Sequence, residues 1–382
     1  MQTLNNIPSD FTLTRLITPI YEAYSVKDLP RCVNVPMRFR RMLDIVHRAA
    51  GKPLPEGGNS VWSLPYKPDM SQRPKAFIAF SGGKDCLAAA IRAEQEGYDP
   101  TLFHIRGINM SLTSEYKHAK AIAEKIGYPY IEMKINFKGT KEYNEHPLRN
   151  ILILSLMIDE GLKQGVTAYS LGNIFEYDTS HANIDYDLSD GIDILRSFSF
   201  FMQSLIPEFK LLCYIHDNLQ SFYTVWKRDK ALIPMLTTCC TPDFRKPMIR
   251  KHSLEKYGAA VLSETGCGGC YKCAREYLYK VKFGMISSSP AYTKRAMELI
   301  AKFDNIHIKN FSDGDRTLNR YGGRNTDEPQ VLCDRIGYYI GRLQLDKRLF
   351  MWFSKNFYGH RHYETREEAE TILKRFLTLY RL

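Results

Sequence analysis

From residue 75 onward, short apolar runs alternate with amphipathic stretches. Ala76 to Phe80 is apolar at every position, the pattern of a parallel strand covered on both faces. A helix is expected from about Lys84 to Glu96, closed by Gly97, and a second strand from Thr101 to Ile105. The next helix runs from near Ser114 to Ile126, with Ala119, Ile122, Ala123 and Ile126 at helical spacing and Gly127 as its stop. Tyr130 to Phe137 reads as strand three, Leu148 to Gln164 as a long helix, and Val166 to Leu171 as strand four. Strands alternating with helices predict an α/β fold, a doubly wound parallel sheet. Upstream, Met37 to Ala50 keeps a helical period, and the Pro/Gly-rich stretch Gly51 to Met70 reads as a linker or wrapping segment. Beyond about residue 284 the pattern is mostly helical, interrupted by Gly322-Gly323.

Composition changes little in this picture. The chain has 382 residues, 44% hydrophobic and 25% charged, which excludes the low-hydrophobicity signature of disorder. Its length suits two domains with room for an added subdomain. No run of about 18 apolar residues is present, so no membrane span is expected. Met1 to Phe11 has no basic region ahead of an apolar stretch, so no secretory signal is read and a cytoplasmic location is expected. The net charge of +11, pI near 9.1, attracts polyanions. Read as spread along the chain, it suits a nucleotide-using enzyme better than a nucleic-acid binder.

The chemistry begins after the first strand, at Ser81-Gly82-Gly83-Lys84-Asp85-Cys86. Two glycines permit backbone angles that let successive N–H groups converge on one anion. The helix that follows adds its positive end, Ser81 a hydroxyl and Lys84 a full charge. Asp85 can cap the helix or help hold magnesium. The bland reading is a tight turn, but the whole string between a strand and a helix points to a phosphate site. The spacing is neither that of a kinase-type P-loop nor that of a dinucleotide fingerprint.

The string resembles the pyrophosphate loop of the adenine nucleotide α-hydrolase-like superfamily, the PP-loop ATP pyrophosphatases, whose fold is HUP-like. Within it, roughly Lys75 to Phe283 is similar to 7-cyano-7-deazaguanine synthase. The likeness rests on Ser114 to Gly127 as the second helix, on Arg149-Asn150 opening Ile151 to Ser155, and on Gly172 at the end of strand four. It rests also on Thr238-Cys239 and on Gly266-Cys267-Gly268-Gly269-Cys270-Tyr271-Lys272-Cys273. The resemblance implies ATP and magnesium as cofactors, with Ser81, Lys84 and Asp85 in catalysis. It also implies a nucleotide site of Ser81, Gly82, Gly83, Lys84, Asp85, Cys86, His104, Arg149, Asn150 and Gly172. Two departures stand out: strand two ends His104-Ile105-Arg106-Gly107-Ile108 instead of the family's Tyr-x-Gln, and the acidic segment Phe175 to Asp193 replaces its base-binding loop.

Nine cysteines, several clustered, point in a reducing compartment to metal and not to disulfides. Cys239, Cys267, Cys270 and Cys273 give the four thiolates of a closed zinc site, and the resemblance prefers Cys239 to Cys240 as the fourth ligand. An iron–sulfur cluster and persulfide-carrying cysteines stay open as alternatives. Cys86 is either a reactive thiol at a helix N-terminus or a small helix residue.

Weaker signals have bland readings of equal or greater weight. Asp178, Asp185, Asp187, Asp190 and Asp193 either position magnesium or substrate, or form a solvated acidic loop. Arg245, Lys246, Arg250 and Lys251 read as a solvated face before a pyrophosphate or tRNA site. Lys355, His360, Arg361 and His362 beside Trp352, Phe353, Phe357 and Tyr358 suit single-stranded nucleic acid, although a core helix accounts for most of them.

The expected organisation is an N-terminal extension 1–74, an ATP-binding domain 75–235, a Cys-rich zinc segment 236–283 and a helical C-terminal extension 284–382. The expected reaction adenylylates a nucleobase-like carboxylate, after which ammonia displaces AMP. Protein partners are expected through the terminal extensions. Two rival functions are a sulfur-transferring tRNA- or nucleotide-modifying enzyme and an ATP-binding component of a multiprotein system such as phage defence.

Overall fold

The computed structural model describes residues 4–5, 7–24, 29–49, 52–64, 74–106, 115–137, 148–172, 192–214, 218–236, 239, 241, 245–259, 262, 265–296 and 299. These fall into two compact units, one within residues 4–236 and one within residues 239–299.

The first unit is built on a five-stranded sheet. In chain order its elements are β1 (Leu4–Asn5), α1 (Thr12–Ala23), α2 (Met37–Ala49), β2 (Lys75–Ala79), α3 (Lys84–Gln95), β3 (Asp99–Arg106) and α4 (Glu115–Ile126). There follow β4 (Tyr130–Lys134), β5 (Asn136–Phe137), α5 (Arg149–Leu162), β6 (Ala168–Ser170), α6 (Ile192–Leu205), β7 (Lys210–Leu211), α7 (Asn218–Arg228) and a 3-10 helix, Lys230–Met235. The sheet order is β4-β3-β2-β6-β7, and every pairing in it is parallel. The chain moves outward from β2 to β4, then returns to lay β6 on the other side of β2. This reversal makes a doubly wound sheet, with its crevice outside the carboxyl ends of β2 and β6.

The physical basis is direct. Phe77 and Ile78 at the centre of β2 are fully buried, as expected of a strand covered on both faces. Ala88, Ala89, Ala90 and Ala93 of α3 are buried too, and such small side chains let the helix lie close to β2 and β3. On the α5 side an aromatic ladder crosses the sheet. Phe103 stacks on Phe77 at 5.5 Å, Phe77 meets Tyr169 edge-on at 6.2 Å, and Tyr169 stacks on Phe209 at 5.5 Å. Such pairs add about 0.5–1.5 kcal/mol each beyond their burial.

The helices upstream of the sheet share this core. α1 packs on α5 and α2 on α6, with Leu13, Ile17, Phe39 and Leu43 in the same buried cluster as Phe77 and Phe201. Phe11, the N-cap of α1, offers no capping side chain. Asp159 of α5 supplies the cap instead: its carboxylate accepts from the Leu13 N–H at 2.9 Å, and from the Thr14 N–H and hydroxyl at 2.7 Å each. Burial raises the Asp159 pKa, and these bonds offset part of that.

The second unit contains α8 (Lys246–Tyr257) and α9 (Tyr271–Lys282). Its core is small. Tyr292 meets Tyr277 at 4.7 Å and Tyr257 at 5.0 Å, and its hydroxyl donates to the Gly268 carbonyl at 2.7 Å. Among the described residues, no helix is long and apolar enough to cross a membrane.

Candidate functional site

The loop after β2 is positioned from both sides. Phe80 donates its N–H to the Phe103 carbonyl at 2.8 Å and accepts at its own carbonyl from His104 Nδ1 at 2.7 Å. A carbonyl can only accept, so Nδ1 carries the proton. The ring is buried, and burial lowers its pKa, so His104 is held neutral. Its described partners are the Phe80 carbonyl and the stacked Tyr130 ring, so it acts on the loop through Phe80.

The chain then turns at Gly82, where φ is +84°, a region that a side chain disfavours. Gly83 is the N-cap of α3 and has no side chain to cap it, so the positive end of α3 carries no side-chain cap, the arrangement that suits an anion. Ser81 is exposed. Lys84 is buried, with Nζ 2.5 Å from Asp85 Oδ1, and Asp85 lies in the first turn of α3, where the helix dipole favours a carboxylate. Ser81, Lys84 and Asp85, the residues expected in catalysis, thus fall within five positions that run from the end of β2 into the first turn of α3, at the switch point of the sheet.

Gly172, just past β6, borders the same crevice with φ of +67°. Its N–H donates to Ser170 Oγ at 3.2 Å, and a Cβ placed on it would lie 2.5 Å from Cys86 Cα. Cys86 also approaches the Leu171 carbonyl at 3.9 Å. Burial pushes the Cys86 thiol up to about 11, partly countered by hydrogen bonds with Ser81. That direction is opposite to the lowered pKa of a reactive thiol at a helix N-terminus. Arg149 and Asn150 open α5, whose N-terminus lies at the carboxyl edge of the sheet. Arg149 Nε donates to Asn150 Oδ1 at 3.3 Å, and Asn150 is buried.

In the second unit, Cys239, Cys267, Cys270 and Cys273 bring their sulfurs within 4.8 Å of one another. Individual separations are 3.4 Å for Cys270–Cys273, 3.9 Å for Cys267–Cys273 and 4.0 Å for Cys239–Cys270. A tetrahedral ion with metal–sulfur bonds of about 2.3 Å requires sulfurs about 3.8 Å apart. The four cysteines therefore fit one such ion. A multi-iron cluster shares its thiolates among several irons and needs them spread wider.

The supporting contacts fit that geometry. Gly269 N–H points at Cys267 Sγ at 3.3 Å, Cys273 N–H at Cys270 Sγ at 3.5 Å, and Thr241 Oγ1 lies 3.0 Å from Cys267 Sγ. A hydrogen bond with Cys267 lowers Cys239 to about 6, while bonding with Cys239 pushes Cys267 and Cys273 up. A central cation would end that competition by taking all four thiolates. Sequence reasoning missed Thr241; its place two residues after Cys239 was the available signal.

Cys240, Asp178, Asp185, Asp187, Asp190 and residues 301–382 lie outside the described residues. Asp193 falls in the first turn of α6.

No protein-family model matches the chain. Over 297 residues it is 22% identical to tRNA-specific 2-thiouridylase MnmA of Alkaliphilus oremlandii (strain OhILAs), covering 70% of this chain and 72% of that protein. With the parallel sheet and its loop, this similarity supports the PP-loop superfamily and an enzyme within it. It does not single out 7-cyano-7-deazaguanine synthase.

Proposed function

We propose that the chain is an ATP pyrophosphatase that transfers AMP to an acceptor oxygen. The observation that carries this reading is the Ser81–Asp85 loop at the switch point, with buried Lys84 and the uncapped N-terminus of α3. An acceptor oxygen attacks the α-phosphorus; a bond from that oxygen to phosphorus forms, and the bond to the β-phosphate oxygen breaks. Loop N–H groups and Lys84 stabilise the charge gathering on departing pyrophosphate. Asp85 would hold magnesium, which supplies further charge neutralisation when bound.

The preferred acceptor is a nucleobase-like carboxylate of the 7-carboxy-7-deazaguanine kind, with ammonia then displacing AMP. Cys239, Cys267, Cys270 and Cys273 would hold zinc in a closed structural site. The test is incubation of α-labelled ATP with 7-carboxy-7-deazaguanine and ammonia. AMP that depends on that acceptor is expected; no AMP with any acceptor would end the enzymatic reading.

A second reading, sulfur transfer to tRNA, is favoured by the similarity to a tRNA-specific 2-thiouridylase. It requires a persulfide, for which Cys270 and Cys273 are the candidates. Mass spectrometry of the intact thiols and thiolated nucleosides in tRNA digests would reveal it. Against it stands the packing of Cys270 and Cys273 in a four-sulfur site.

A further inference from the structure

The positive charge of the chain is not spread evenly. Residues 1–238 carry 27 Lys and Arg against 26 Asp and Glu, whereas residues 239–299 carry 11 against 5. Within the second unit this charge has a face. α8 buries only Ser253. Ile249 and Ser253 lie against the metal loop, where a Cβ on Gly269 would meet Ile249 at 2.5 Å and one on Gly268 would meet Ser253 at 2.8 Å. Arg250 donates to the Gly266 carbonyl from the same side. The opposite side exposes Arg245, Met248, Lys251, His252 and Lys256. Its one acid, Glu255, lies 4.0 Å from Lys251, both well exposed. A core helix of a small unit ordinarily shows an apolar stripe and a mixed polar face; this one shows a basic face bolted to a four-cysteine loop.

We propose that the outer face of α8 binds the phosphate backbone of a nucleic acid. From Arg245 to Lys256 the face runs about 16 Å, along which a duplex presents roughly ten phosphates. Arg245, Lys251 and Lys256, all exposed, supply charge without base readout, so the contact is sequence-tolerant. The cysteine loop acts as the mount, because it fixes Ile249, Ser253 and Arg250 and thereby the direction of the basic face. The proposal goes beyond the ATP reaction and does not depend on which acceptor is adenylylated.

Fluorescence anisotropy of the full chain with a labelled RNA hairpin and with DNA of the same sequence, without ATP, tests it. Salt is raised from roughly 50 to 200 mM, and log affinity is expected to fall with a slope of about −2 to −3, as for three phosphate contacts. Arg245→Glu with Lys251→Glu and Lys256→Glu is expected to weaken binding at least ~10-fold. The control Lys120→Glu with Lys125→Glu and Lys134→Glu changes the net charge equally on exposed positions of the first unit, and should leave binding within about 2-fold. Equal losses in the two variants, or no binding of either nucleic acid at low salt, would overturn the proposal. So would capture by phosphatidylserine vesicles that nucleic acid does not compete away. Failure of AMP formation would leave these outcomes unaffected, since no turnover is measured.

Discussion

Gly172 lies so close to Cys86 that a single methyl on Gly172 would sit 2.5 Å from the Cys86 Cα. The loop after β6 and the first turn of α3 are thus in backbone contact at the edge of the crevice. Gly172→Ala is expected to separate them and to place a side chain at a φ of +67°. The expected cost is about 1–3 kcal/mol in urea unfolding, with a raised KM for ATP. Trimming Cys86 gives no relief, because the clash is with backbone. Wild-type unfolding and KM in Gly172→Ala would show that the contact does not matter.

Lys84 is the only full positive charge on the Ser81–Cys86 string, and it is buried. Lys84→Met should keep the fold by circular dichroism and reduce AMP formation by about 100-fold or more, the scale of losing one charge stabiliser at a transition state. Lys84→Arg should not restore the rate, since a planar guanidinium does not fit the slot of a compact ammonium. Retained turnover in Lys84→Met would remove the residue from the chemistry.

His104 gives a pH signature. Its folded-state pKa is lowered from 6.5, so below pH 6.5 the unfolded chain takes up a proton that the folded chain refuses. Stability therefore falls as pH drops from 6.5 toward the folded value, and above 6.5 this group contributes no slope. Urea unfolding between about pH 5 and 8 should show that component in the wild type and lack it in His104→Gln. An identical pH dependence in both proteins would contradict the neutral, Phe80-bound imidazole.

Metal analysis should find about one zinc per chain, and Cys267→Ser should lower it well below that. Cys267 is the choice because three separate groups meet its sulfur: Gly269 N–H, Thr241 Oγ1 and Cys273 Sγ. Limited proteolysis should then cut within residues 239–299. Full zinc content in the variant would take Cys267 out of the ligand set.

Local signals were legible wherever they set local structure. The expected strand Ala76 to Phe80 appears as Lys75–Ala79, and the expected helix at Lys84 starts on that residue, because continuous apolar runs and glycine stops decide such elements within a few residues. The expected single strand Tyr130 to Phe137 divides at Ile135. β4 pairs with β3, while Asn136 and Phe137 turn to pair with Leu4 and Asn5, a partner too remote to read from the run itself. α1 was not foreseen, since its N-cap is Phe11 and Pro19 lies inside it. Cys267, Cys270 and Cys273 were legible by spacing, and Cys239 through the resemblance. The basic run Arg245, Lys246, Arg250 and Lys251 was legible too, but not which charges face outward, because only the fold shows that α8 turns Ile249 and Ser253 toward the cysteine loop.

The cap on α1 constrains how the protein is made. Thr14 leaves the ribosome 145 residues before Asp159, a delay of roughly seven to thirty seconds at ordinary synthesis rates. Until α5 emerges, the first turn of α1 lacks the carboxylate that caps it, and its apolar face lacks the helix it packs on. The cap of α1 must therefore wait for α5, so this part of the first unit is completed late. Fragments that stop ahead of Asp159 would carry α1 without the group that fixes its start.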